Sequence, residues 1–225
     1  MEHSSATALI ELFESGKFSG GLLRTWEPPN YFVVLGYSNR IDAETNAAAC
    51  ARRRVPILRR FSGGGAVLQG PGCLNYSLIL RNSAAGTITD SFRLVLERHR
   101  GFLERSMKTE IRIEGISDLA VDGRKISGNA QHRKRQYILL HGTFLLNLDF
   151  SLLEECLYLP LKQPPYRTNR PHRDFLKNIE LGSNEVRQGL RRVWNAHDVF
   201  SEVPYARIAE LVTDRYLRSD WTQRF

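Results

Sequence analysis

The residues best suited to chemistry fall in three short stretches. Arg59 and Arg60 stand just before Ser62-Gly63-Gly64-Gly65, and Ala66, Val67 and Leu68 follow. Successive glycines leave backbone N–H groups open to close approach by an anion, because no Cβ shields them. A guanidinium beside such a turn can hold phosphate oxygens in a two-pronged fork. The second stretch, Asp118 to Gly128, reads DLAVDGRKISG. Its Asp122-Gly123 pair is a strong hairpin signal and sets Lys125 at the start of the returning strand. An ammonium held inward there is a fixed charge against developing negative charge. The third is His141-Gly142-Thr143, inside a long β-rich run. Taken singly, the glycine triplet reads as a tight turn and the lysine as a solvated hairpin residue. The combination is what points to an anionic ligand.

Other chemistries lack their residues. G-x-x-x-x-G-K-[ST] is absent, and the glycines lead into a strand rather than a helix of G-x-G-x-x-G type. The six histidines show no H-x-x-x-H spacing. Cys50, Cys73 and Cys156 form no C-x-x-C pair, so the sequence offers neither a metal site nor a disulfide framework. Three cysteines, odd in number and far apart, suit a reducing compartment. The acidic N-terminus, with Glu2, Glu11 and Glu14, is unlike a secretory signal, and the expected location is the cytoplasm. No apolar run is long enough to span a bilayer, so no membrane partner is expected. The net charge of +8 fits nucleic acid, an anionic small ligand or an acidic protein. No RNA- or DNA-binding motif accompanies it, which disfavours nucleic acid.

The elements that must position these residues can be read from periodicity. Residues 6–15 have helical spacing, and 21–26 and 31–37 read as strands across a Pro28-Pro29 turn. Asp42 is a candidate cap for an alanine-rich helix over 43–53. Strands follow at 55–61, 65–69 and 74–81. Thr87-x-x-Asp90 has capping-box spacing and opens the longest helix, striped by Phe92, Val95, Leu96, Phe102 and Leu103. Residues 110–115 alternate as a strand, and 136–149 form a long β-run in which Gly142 suggests a bulge. After Asp149, prolines 160, 164, 165 and 171 predict a loop, then helices near 183–196 and 204–217. Short turns between strands exclude a doubly wound parallel sheet. The expected fold is α/β of the α+β type, a mixed, largely antiparallel sheet flanked by helices, in one domain over residues 1–225.

RR-x-SGGG-x-V, then D-L-x-V-x-G-x-K-I-x-G-x-A, then HGT-x-L-x-N resemble the lipoate–protein ligase A family, akin to biotin ligases and octanoyl transferases. The resemblance runs from about Trp26 to Asn178. It implies ATP-dependent activation of lipoate, or its octanoyl precursor, to an acyl-adenylate. The acyl group then passes to a lysine of an acidic lipoyl-carrier domain, of the 2-oxoacid dehydrogenase E2 or glycine-cleavage H protein type. By resemblance, Arg60, Gly65, Ala66, Val67, Leu68 and Asp118 contact ATP, with Mg2+ as its counter-ion. Ser62, Gly63, Gly64, Gly128, His141, Gly142 and Thr143 border the lipoate. Lys125, the catalytic residue, contacts both substrates. Where the family has Asn-Asp, this chain has Ser117-Asp118.

Two departures bear on the reaction. The family's usual His-Asp after the glycine block is Gln69-Gly70-Pro71-Gly72 here, closer to the octanoyl transferases, which use a cysteine and no ATP. Their cysteine setting reads Leu157-Tyr158-Leu159-Pro160 here, which leaves Cys73 or Cys156 as substitute nucleophiles. A C-terminal domain common in such ligases is not expected, so a separate accessory protein is a candidate partner. Transferase and basic non-enzymatic binding module are the alternatives to ligase.

Overall fold

Alternation along one strand fixes the architecture. A computed structural model describes residues 2–82 and 86–225. In β9 (Tyr137–Leu145), Ile138, Leu140 and Phe144 join Leu74, Tyr76 and Leu78 of β5 (Cys73–Arg81) in the largest core. Tyr137 and Leu139 join Ile79 in a second core with Ile10 and Phe13 of α1 (Glu2–Glu14). Successive strand residues point to opposite faces, so these cores lie on opposite sides of the sheet. Farther along β9, His141 and Thr143 fall on the α1 side by the same alternation.

The large sheet runs β1 (Leu22–Trp26), β5, β9, β8 (Arg124–Arg133), β7 (Asp118–Val121), β6 (Arg112–Glu114), with every neighbour antiparallel. A small sheet, β3 (Ile57–Arg59), β2 (Phe32–Leu35), β4 (Val67–Gln69), adds one parallel pair, β2 with β3. The mixed, largely antiparallel character expected from the short turns holds, divided between two sheets. The Asp122-Gly123 turn joins β7 to β8, with both residues in the left-handed region that such a tight reversal demands.

Helix α4 (Ile88–Met107) begins with the expected capping box of Thr87 and Asp90, and α7 (Ser183–Val193) packs beside it on the largest core. The chain closes with α8 (Tyr205–Leu211), a π-turn over Val212–Tyr216, and a short α9 (Ser219–Thr222). Among the described residues no helix is long and apolar enough to cross a membrane.

Four local expectations need correction. The helix expected over 43–53 is two, α2 (Ile41–Glu44) and α3 (Ala47–Arg52), because Thr45 is extended and bridges Leu157. Asn46, not Asp42, is the capping side chain: it accepts the Ala49 N–H, whereas Asp42 pairs with Arg40. Gly142 is no bulge. It pairs regularly with Tyr76 and Asn129, and the register shift lies at Leu119/Ala120. The stretch after Asp149 opens with α5 (Phe150–Cys156), whose first N–H groups Asp149 caps. A 3-10 turn at Pro165–Arg167 and α6 (His172–Phe175) interrupt the expected loop.

Candidate active site

A cavity of about 280 Å³ lies between the two sheets, below the segment that follows α5. Val34, Leu68, Leu145, Leu153 and Phe175 give it apolar walls. Of the residues singled out in the sequence, Arg60, Gly64, Gly65, Ala66, Val67 and Leu68 line it from the small sheet. Asp118, Lys125, Gly128, His141, Gly142 and Thr143 line it from the large one. Ser62 and Gly63 do not. The three motifs, far apart in sequence, thus meet around one chamber.

The two arginines do different work. Arg59, fully buried, donates to the carbonyls of Gly36, Tyr37, Asn39 and Thr222. It faces no cavity, and a phosphate role for it is ruled out because its fork is consumed by backbone. Arg60 donates to the carbonyls of Gly63, Gly65 and, at 3.3 Å, Val34. Burial lowers its pKa to about 10, partly offset by Glu44, so it remains a cation at neutral pH. It holds the glycine loop in shape while bringing positive charge to the wall. Gly64 takes the left-handed conformation (φ 98°), and a Cβ there would meet the Arg60 guanidinium at 2.8 Å. Glu44, buried, accepts the Ala66 N–H at 3.2 Å and an Asn39 amide N–H at 2.9 Å.

Lys125 points inward. Its Nζ lies 2.8 Å from Asp118 Oδ1, and the second carboxylate oxygen accepts the Tyr166 hydroxyl at 2.9 Å. Gly128 makes the space: a Cβ there would sit 2.6 Å from Lys125 Nζ. A lysine on a solvated hairpin would need no such clearance.

His141 Nε2 and Ser62 Oγ are 2.7 Å apart, with Ser62 buried and His141 half-buried. Burial, then the Arg60 charge and His132, lower the His141 pKa to about 3, so the imidazole is neutral. Thr143, Asn75 and Gln69 close a three-membered hydrogen-bond ring on the cavity wall. Gly142 leaves room for the Asn129 carboxamide, which accepts the Tyr76 hydroxyl. Sequence reading missed Glu44, Trp26, Gln69, Asn75, Asn129 and Tyr166. Gln69 directly follows Leu68, and Asn129 is the variable position between Gly128 and Ala130 of the second motif, so both stood beside residues already singled out. Glu44 and Tyr166 carry no local signal.

None of the three cysteines lines the cavity. Cys73 sits where β5 pairs with Leu145, and burial raises its thiol to about 12. Cys156 is raised to about 12 by burial and by Cys50 beside it. A thiol so shifted supplies almost no thiolate at neutral pH.

Comparison with known proteins follows this geometry. The sequence model of the lipoyl protein ligase A/B catalytic domain matches residues 8–185. Lipoate-protein ligase LplJ of Bacillus subtilis is 27% identical over 84% of this chain and 60% of its own. Octanoyltransferase LipM of Geobacillus kaustophilus is 29% identical over 95% of this chain and 90% of its own. The present chain therefore spans about 60% of the length of the ligase but most of the transferase. A solved structure described as lipoate-protein ligase A bound with ATP superposes with a TM-score of 0.83 at 22% identity, covering 98% of this chain and 92% of that one.

Proposed function

Because the chain belongs to the lipoyl protein ligase A/B catalytic-domain family, we propose that it activates lipoate or octanoate with ATP and acylates a lysine of a lipoyl-carrier domain. A carboxylate oxygen of the acid attacks the α-phosphorus, the bond to pyrophosphate breaks, and acyl-AMP forms. The carrier amine then attacks the acyl carbonyl, and AMP leaves. Neither step needs a protein nucleophile. Each needs positive charge and backbone donors where oxygens gain charge. Lys125, paired with Asp118, supplies one cation and the Arg60-braced loop a second. The apolar walls suit the acyl chain. Asp118 and Glu44 are the acidic side chains of the cavity, and Mg2+ enters as the counter-ion of the nucleotide.

The observation that carries ligase over thiol transferase is an ammonium inside the cavity with every cysteine outside it. The reading also includes an acidic carrier face, drawn to the +8 chain, and a cytoplasmic setting.

The test is intact mass of a lipoyl domain after incubation with lipoate and Mg-ATP. Cys73→Ser and Cys156→Ser are each expected to retain most of the transfer. Loss of transfer in either variant, together with ATP-free transfer from octanoyl-carrier protein by the parent, would replace ligase with transferase.

A further inference from the structure

We propose that Tyr166 is a positioning residue for the reaction, acting on Lys125 through Asp118; this rests on the reading of Lys125 as catalytic. Asp118 is 7% exposed and divides its carboxylate between two partners. Oδ1 holds the lysine at 2.8 Å and Oδ2 accepts the tyrosine hydroxyl at 2.9 Å. A carboxylate with one hydrogen-bonded oxygen can still rotate about its Cβ–Cγ bond. With both held, the lysine has one resting place. The cost of misplacing a reacting group by an ångström is large, so such restraint matters.

The tyrosine is itself fixed from several sides. Its ring packs on Phe175 with centroids 5.0 Å apart. Its carbonyl accepts Arg170 Nη2 at 2.7 Å, and the same nitrogen donates to the Gly123 carbonyl at 2.9 Å on the turn before Lys125. Thr168 and Asn169 lie in the left-handed region, with φ of 50° and 59°, which reverses the chain so that Arg170 can reach back. Downstream, Leu176 bridges Lys125 and the Lys177 N–H donates to the Lys125 carbonyl. Residues 165–177 therefore form a strap across the hairpin, and Tyr166 is its contact with the ion pair. Burial and the neighbouring carboxylate push the phenol pKa well upward, so it stays a proton donor at neutral pH.

The experiment measures acyl-adenylate formation from lipoate and Mg-ATP, by pyrophosphate release, in Tyr166→Phe, Asp118→Ala, the double variant and Lys125→Ala. Phenylalanine keeps the ring packing, and thermal melts confirm folding. Tyr166→Phe is expected to lower kcat about tenfold, as for loss of one hydrogen bond to a charged group, with KM for lipoate within about twofold. Adding it to Asp118→Ala is expected to cost less than about twofold more, since the relay is already broken. An equal loss in both backgrounds, or none in either, overturns the inference while leaving Lys125 catalytic. Normal adenylation by Lys125→Ala overturns the inference and the reading beneath it.

Discussion

At the scale of single residues, the sharpest feature is a missing methyl. Gly128 has no positive φ to explain it, but its Cα faces the Lys125 ammonium so closely that a Cβ would stand 2.6 Å from both Cε and Nζ. Gly128→Ala should displace the ammonium, which sits at the end of a flexible side chain, rather than the strand. Adenylation is expected to fall by more than about tenfold, with a stability change under about 1 kcal/mol, the ordinary range for a substitution that a mobile side chain can absorb. Paired rate and denaturant measurements check this; an unfolded or fully active variant would refute it. The sequence announced this lysine through the Asp-Gly turn and two flanking glycines. Only the family resemblance chose Arg60 over Arg59; local pattern could not, since adjacent residues on a strand face opposite ways and the fold decides which side is the cavity. Tyr166 was hidden for a related reason: its partner lies 48 positions away.

Among elements, the glycine loop separates binding from folding. Gly65 lacks positive φ, and a Cβ on it would make only an ordinary contact, 3.9 Å from Glu44. Gly64 is in the left-handed region and crowds Arg60. Gly65→Val is therefore expected to leave the melting midpoint within a few degrees of the parent. It should abolish most of the midpoint rise that lipoate and Mg-ATP give, since that rise measures binding to the native state. A variant that melts early yet shifts fully with ligand would make the loop a mere turn. Legibility at this scale followed length and periodicity. The 20-residue α4 and the β7–β8 hairpin were plain in the sequence. The split of α2 from α3 was not, because the alanine-rich run has helix propensity throughout, and a bridge from Thr45 to Leu157 overrides it. The seven-residue α5 was obscured by prolines soon after it. Gly142 suggested a bulge from strand context alone, whereas the Asn129 side chain is what needs the space.

The whole molecule stores a pH dependence in its desolvated imidazoles, His99 buried and His141 half-buried. His99 and His141 both titrate near 3 in the folded chain because burial disfavours their charged forms; unfolded, they titrate near 6.5. Folded values below unfolded ones mean stability that is complete above about pH 6.5 and drains as pH falls toward 3. Each contributes a slope of up to about 1.4 kcal/mol per pH unit in that window. His132 and His172 are shifted the same way and add to it. Denaturant midpoints should be level between pH 7 and 8 and fall between pH 6 and 4.5, less steeply in His141→Gln. A flat profile would mean that the imidazoles are not sequestered.

Strand order also sets a timetable during synthesis. β5 finds β1, made before it, as soon as it emerges, but its other edge is reserved for β9, which the ribosome has yet to translate. At about 5–20 residues per second the interval lasts several seconds, and through it the nascent chain presents an open strand edge able to pair with a neighbour. Substrate cannot shelter that edge, because β9 supplies His141 and Thr143 and the chamber is incomplete until it arrives. α4, translated in between, can cover the sheet's apolar face but not its hydrogen-bonding edge, so the protection of the young polypeptide falls to chaperones or to speed.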